Sequence, residues 1–60
     1  MSKNMIVLGG GESGVGAALL GQHLGYHVFL SDKGAIGESY QKELDDHYIE
    51  WEQGLSLIHI

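Results

Sequence analysis

Sixty residues allow one small unit with a thin core, burying roughly 60% of its unfolded surface, and leave no room for a complete nucleotide-using enzyme. Three lysines and no arginine against eight acidic residues give a formal charge of −5, which argues against nucleic-acid and membrane partners; a bound phosphate would have to rest on backbone amides and Lys33. The lack of cysteine removes disulfide frameworks and thiolate metal sites, and Met5-Ile6-Val7-Leu8 is too short an apolar run for a signal peptide or membrane span, so a cytoplasmic location is expected.

In chain order, Asn4 to Leu8 is a run without alternation, the pattern of a strand covered on both faces in a parallel sheet. Gly9-Gly10-Gly11-Glu12-Ser13-Gly14 follows and reads as G-x-G-x-x-G on Gly9, Gly11 and Gly14. The first glycine permits a tight turn, the second a close backbone approach to phosphate, and the third close packing of helix on sheet. The first amides of a helix lack internal partners and sit at the positive end of its dipole, so such an elbow attracts a diphosphate.

Ser13, as N-cap or first-turn residue, opens a helix to about Leu24. Gly14, Ala17, Ala18 and Gly21 line it with small residues, Gly21 for close approach to the sheet, while Val15, Leu19, Leu20 and Leu24 supply bulk. Gly25 falls where a left-handed residue ends a helix. His27 to Ser31 reads as a second buried strand ending at Asp32. A right-handed crossover then makes the two strands parallel and puts the glycine elbow and Asp32 at the same carboxyl edge. Asp32 lies 18 residues beyond Gly14, near the separation at which an acidic residue reaches a ribose or base.

Lys33 to Gly37 is expected as a loop, Glu38 to Asp46 as a polar helix with Tyr40 and Leu44 on one side, and Tyr48 to Glu52 as a third, more exposed strand that Gly54 ends. The fold class is therefore α/β, a Rossmann-like β-α-β-α-β fragment with a parallel sheet. The lesser candidates read as structural: His23 and His27 are separated by the helix end rather than paired on a metal, and Asp45-Asp46-His47 is a polar helix terminus. Glu50 and Glu52 form a solvated strand face, and Tyr40 and Trp51 cover the core. Leu55-Ser56-Leu57-Ile58-His59-Ile60 matches one reading frame of a transposon-end adapter used in sequencing libraries, so residues 55–60 are expected to be a non-native tail.

The motifs Ile6 to Ala18 and Val28-Phe29-Leu30-Ser31-Asp32-Lys33-Gly34, with Ile49-Glu50-Trp51-Glu52-Gln53-Gly54, resemble the amino terminus of the D-glutamate-adding branch of the Mur ligase family. Its members act on UDP-N-acetylmuramoyl-L-alanine in peptidoglycan synthesis. The resemblance covers about residues 3 to 54 and implies that 1–54 are an incomplete amino-terminal domain that binds UDP and does no chemistry. It implies contact of Glu12 and Ser13 with the diphosphate through backbone amides, with the Ser13 hydroxyl as a further donor and Gly11 and Gly14 shaping the elbow. Asp32 would accept from uracil or ribose, and Lys33 would stand beside the uridine. The Glu12 side chain should turn away, since its charge would repel phosphate.

The resemblance also implies ATP and Mg2+ for the whole ligase, which would phosphorylate the substrate carboxylate and let the amine of D-glutamate attack the acyl phosphate. The family's ATP loop, magnesium ligands and catalytic lysine lie downstream, so no catalytic residue, cofactor site or metal site is expected within these residues. From motif mechanics alone an NAD- or FAD-dependent oxidoreductase with Asp32 on the adenosine ribose would lead, because dinucleotide enzymes are the commonest users of this spacing. Two further readings are a regulatory nucleotide sensor and a turn that binds nothing.

Overall fold

The computed structural model describes residues 3–54. Strands and helices alternate as β1 (Lys3–Leu8), α1 (Glu12–His23), β2 (Tyr26–Asp32), α2 (Glu38–Asp46) and β3 (Glu50–Gln53). The strands form one parallel sheet in the order β1-β2-β3, with Lys3 to Leu8 opposite Tyr26 to Ser31, and Phe29 to Asp32 opposite Glu50 to Gln53. This is the Rossmann-like α/β arrangement expected from the sequence. The proposed tail at 55–60 lies outside the described residues.

The N-cap of α1 is Gly11, with no side-chain cap, so Ser13 is a first-turn residue. Gly25 takes φ +95° after the C-cap Leu24, the left-handed turn anticipated there. Val15, Ala18 and Gly21 are buried along the face of α1 that meets the sheet. A Cβ at Gly21 would lie 2.5 Å from the Met5 sulfur, so its glycine is what lets helix and strand approach. Ala17 is exposed, as are Leu20 and Leu24, so the expected lines of small and bulky residues only partly face inward.

Helix α2 spans Glu38–Asp46 as expected, but the residues that follow it do not start a strand at once. Tyr48 N–H donates to Asp45 C=O at 3.0 Å and Ile49 N–H to Leu44 C=O at 2.9 Å, which is the Schellman pattern, and Tyr48 holds φ 59° at its left-handed position. Tyr48 is therefore a helix terminator, 92% exposed, and β3 begins at Glu50 rather than at residue 48. The motif's apolar contact is made by Ile49 and Leu44, both in the core. That core joins Val15 and Ala18 of α1, Val28 and Leu30 of β2, Ile36, Leu44 and Ile49. Full burial of side chains such as Leu30 and Leu44 is worth roughly 1.5–3 kcal/mol each.

The helices touch each other as well as the sheet, so they share one face. By alternation and register the other face carries Ile6, Leu8, Phe29, Ser31, Glu50 and Glu52. Ile6 is 52% and Leu8 61% exposed, which corrects the expectation that β1 is covered on both faces. Two successive crossovers advancing in the same direction lay both helices on one side, and no helix among the described residues covers the other. Glu52 is also less solvated than expected: half-buried, it accepts a 2.9 Å hydrogen bond from the hydroxyl of the buried Ser31, whereas Glu50 is exposed beside His27 at 3.3 Å.

Candidate functional site

The chain leaves the sheet through three glycines, each held differently. Gly9 N–H donates to Ser31 C=O at 2.7 Å, extending the β1–β2 ladder by one rung, and its φ of +110° then turns the backbone upward. Gly10 is buried, and its N–H donates to Asp32 Oδ2 at 2.7 Å. Gly11 is exposed with open space where a side chain would stand. The first helical bond of α1 then runs from Val15 N–H to Gly11 C=O at 2.9 Å. The amides of Glu12, Ser13 and Gly14 precede it and have no helical carbonyl to reach. Gly14 packs directly on the turn: a Cβ there would overlap the Gly9 carbonyl oxygen and lie 2.8 Å from its carbon. The start of the helix is thereby brought against the turn that leaves the strand, with the amides of Glu12, Ser13 and Gly14 at the elbow.

Asp32, the last residue of β2, stands at the same edge. Its Oδ2 accepts from Gly10 and its Oδ1 accepts from Gly34 N–H at 2.8 Å. Its carbonyl accepts from Gly54 N–H at 2.9 Å. The bond from Gly10 first, then that from Gly34, holds its carboxyl below the ordinary value of 3.8, with nearby Lys33 acting in the same sense against slight desolvation. Lys33 is exposed on the loop between β2 and α2. The sequence-derived residues Gly11, Glu12, Ser13, Gly14, Asp32 and Lys33 thus gather at one edge, on two adjacent turns linked by Asp32. Glu12 and Ser13 are exposed on the first turn of α1.

Sequence reasoning missed the groups that brace the second turn. Ile36 is 3% exposed and lies over the elbow, so that a Cβ on Gly10 would be 2.7 Å from its Cγ1. Ile36 N–H donates to Gln53 Oε1 at 2.8 Å, and Gln41 Nε2 donates to Ile36 C=O at 2.7 Å and Gln53 Oε1 at 3.1 Å. Two signals were available. An extra glycine, Gly10, between Gly9 and Gly11 of the motif, and one bulky apolar residue, Ile36, in the 33–37 loop, both point to a close approach. An open depression of about 550 Å³ lined by Phe29, Tyr48 and Trp51 sits at the amino end of β3, and none of the candidate residues lines it.

This arrangement can hold an anion on backbone amides at one turn and present a cation and carboxylate at the next. Similarity to curated proteins gives it a context. The chain is 54% identical over 52 residues to the UDP-N-acetylmuramoylalanine–D-glutamate ligase of Christiangramia forsetii, covering 87% of the chain and 12% of that protein. It is 55% identical over 51 residues to the protein of the same name from Porphyromonas gingivalis, 85% of the chain and 11% of the relative. For the Bacteroides thetaiotaomicron protein of that name the identity is 48% over 52 residues, 87% and 12% of the two chains. The chain therefore spans about an eighth of the length of the curated relatives it matches. No protein-family model and no solved structure matches it.

Proposed function

We infer that the chain belongs to the family of UDP-N-acetylmuramoylalanine–D-glutamate ligases and forms the amino-terminal part that holds the UDP end of the substrate, UDP-N-acetylmuramoyl-L-alanine. The observation that carries this reading is identity of 48–55% with proteins of that name across nearly all the described residues, the elbow and Asp32 included. The geometry is consistent with it. The amides of Glu12 and Ser13 take the diphosphate, the Ser13 hydroxyl adds a donor, and the glycines at 11 and 14 leave the anion its space. The uridine end runs toward the second turn, where Lys33 stands and Asp32 keeps lone pairs for an imide N–H or a hydroxyl.

The residues present do not fit ATP or Mg2+. The sequence has no Gly-Lys-Ser/Thr phosphate loop, and the first turn of α1 carries Glu12 rather than a lysine. Among the described residues there is no group of three or more His, Asp or Glu able to hold a metal ion. Phosphorylation and amide-bond formation, with their ATP and Mg2+, are therefore assigned to other parts of a cytoplasmic ligase. Among the described residues no helix is long and apolar enough to cross a membrane.

Calorimetric titration of the full-length protein carrying this segment with UDP-N-acetylmuramoyl-L-alanine and, separately, with NAD tests the reading. Binding of the uridine ligand with no measurable NAD binding is expected. Preference for NAD would overturn the ligase assignment in favour of a dinucleotide oxidoreductase.

A further inference from the structure

Two turns far apart in sequence make up the candidate site, and one side chain joins them. Asp32 Oδ2 accepts from the Gly10 amide, 22 residues away, while Oδ1 accepts from the Gly34 amide. Both carboxylate oxygens are thus engaged with backbone, one on each turn. Gly10 is the hinge of the elbow: the residue before it is still paired to β2 and the residue after it is the N-cap of α1. Fixing the Gly10 peptide therefore fixes the direction in which the Glu12 and Ser13 amides point. The fit is tight, because a Cβ on Gly10 would lie 2.7 Å from Ile36 Cγ1 and 3.3 Å from Asp32 Oδ2. Ile36 is itself held by Gln41 and Gln53.

We propose that Asp32 is the positioning residue of the elbow: by clasping the Gly10 and Gly34 amides together, it sets the phosphate-facing amides and the Lys33 loop in binding geometry before a ligand arrives. The role is separate from any contact between Asp32 and the nucleoside, and it rests on the uridine-diphosphate reading only for the choice of ligand. A carboxylate can do this and an amide cannot, since asparagine offers one acceptor and turns a donor toward the other N–H.

Three measurements on the full-length protein carrying this segment decide the matter. In Asp32→Asn, amide hydrogen exchange at Gly10 or Gly34 should accelerate relative to wild type, while Gly9, bonded to the Ser31 carbonyl, keeps its protection. UDP affinity of the same variant should fall on the order of 10- to 100-fold, the scale of a lost charge-assisted hydrogen bond. Gly10→Ala leaves Asp32 intact yet crowds the clasp, and it should lose UDP affinity to a similar degree; combining it with Ile36→Ala, which removes the colliding atoms, should recover part of the loss. Unchanged exchange at both Gly10 and Gly34 in Asp32→Asn, or wild-type UDP affinity in Gly10→Ala, would overturn the proposal. Absence of UDP binding by the wild-type protein would instead refute the ligand reading, and the exchange data would still judge the clasp.

Discussion

Gly14 and Gly16 lie two residues apart in the same helix, and the same substitution should act on them in opposite directions. Alanine in a helix interior is favoured over glycine by roughly 1 kcal/mol. At Gly16 nothing lies within 4 Å of the added methyl, so Gly16→Ala should realise that gain. At Gly14 the methyl would overlap the carbonyl of Gly9, a backbone group that cannot rotate away because the N–H of the same peptide, that of Gly10, is tied to Asp32 Oδ2 at 2.7 Å. Relief requires the helix to ride up off β1, at an overpacking cost of about 1–3 kcal/mol or more. Because the helix already carries Val15 and Ala18 in the core, lifting it also loosens their packing. The net loss for Gly14→Ala should be about 2 kcal/mol, leaving the two variants about 3 kcal/mol apart. Against a total stability of roughly 3–9 kcal/mol for a chain this size, that gap is readily measured. Urea unfolding followed by far-UV circular dichroism reads it directly. If Gly14→Ala proved as stable as Gly16→Ala, the close packing of α1 on the Gly9 turn would be wrong.

Two further outcomes are expected. Because the Asp32 carboxyl is held below its ordinary value by the Gly10 and Gly34 amides, its ionised form stabilises the folded state. That contribution is complete above the unfolded value, declines as pH drops below 3.8, and is gone once pH passes the lowered folded value. The urea midpoints of wild type and Asp32→Asn should accordingly converge in acid, and a gap independent of pH would contradict the clasp. Tyr48 sits at φ 59° and is 92% exposed, so Tyr48→Gly removes left-handed strain while giving up almost no packing. Its melting temperature should rise by a few degrees, for a net gain of about 0.5–1 kcal/mol; a fall would show that the ring contributes more than its exposure indicates.

Most of the element order was legible along the chain. The Asn4–Leu8 and His27–Ser31 runs, the glycine elbow and the Gly25 turn are set by periodicity and by residues with unusual backbone freedom, and these act over a few positions. Asp32 was also within reach, because a parallel crossover obliges consecutive strands to end at the same edge. The sequence reading erred at Tyr48 for an instructive reason. The alternation from Tyr48 to Glu52 does fit a strand, but the end of α2 needs a left-handed residue, and the apolar pair Leu44 and Ile49 closes the helix around whatever stands at that position.

By itself, then, the sequence determined that this chain turns from a strand into a helix through a glycine bend, and that a carboxylate meets it from the next strand. Only the tertiary structure decided what that carboxylate holds. The Gly10–Asp32 bond spans 22 residues, and the support of Ile36 by Gln53 spans 17; no local pattern encodes either. It also decided that Ile6 and Leu8 stand uncovered, since apolar composition specifies that a strand can be buried, whereas the side on which the helices land is fixed by the direction of the crossovers.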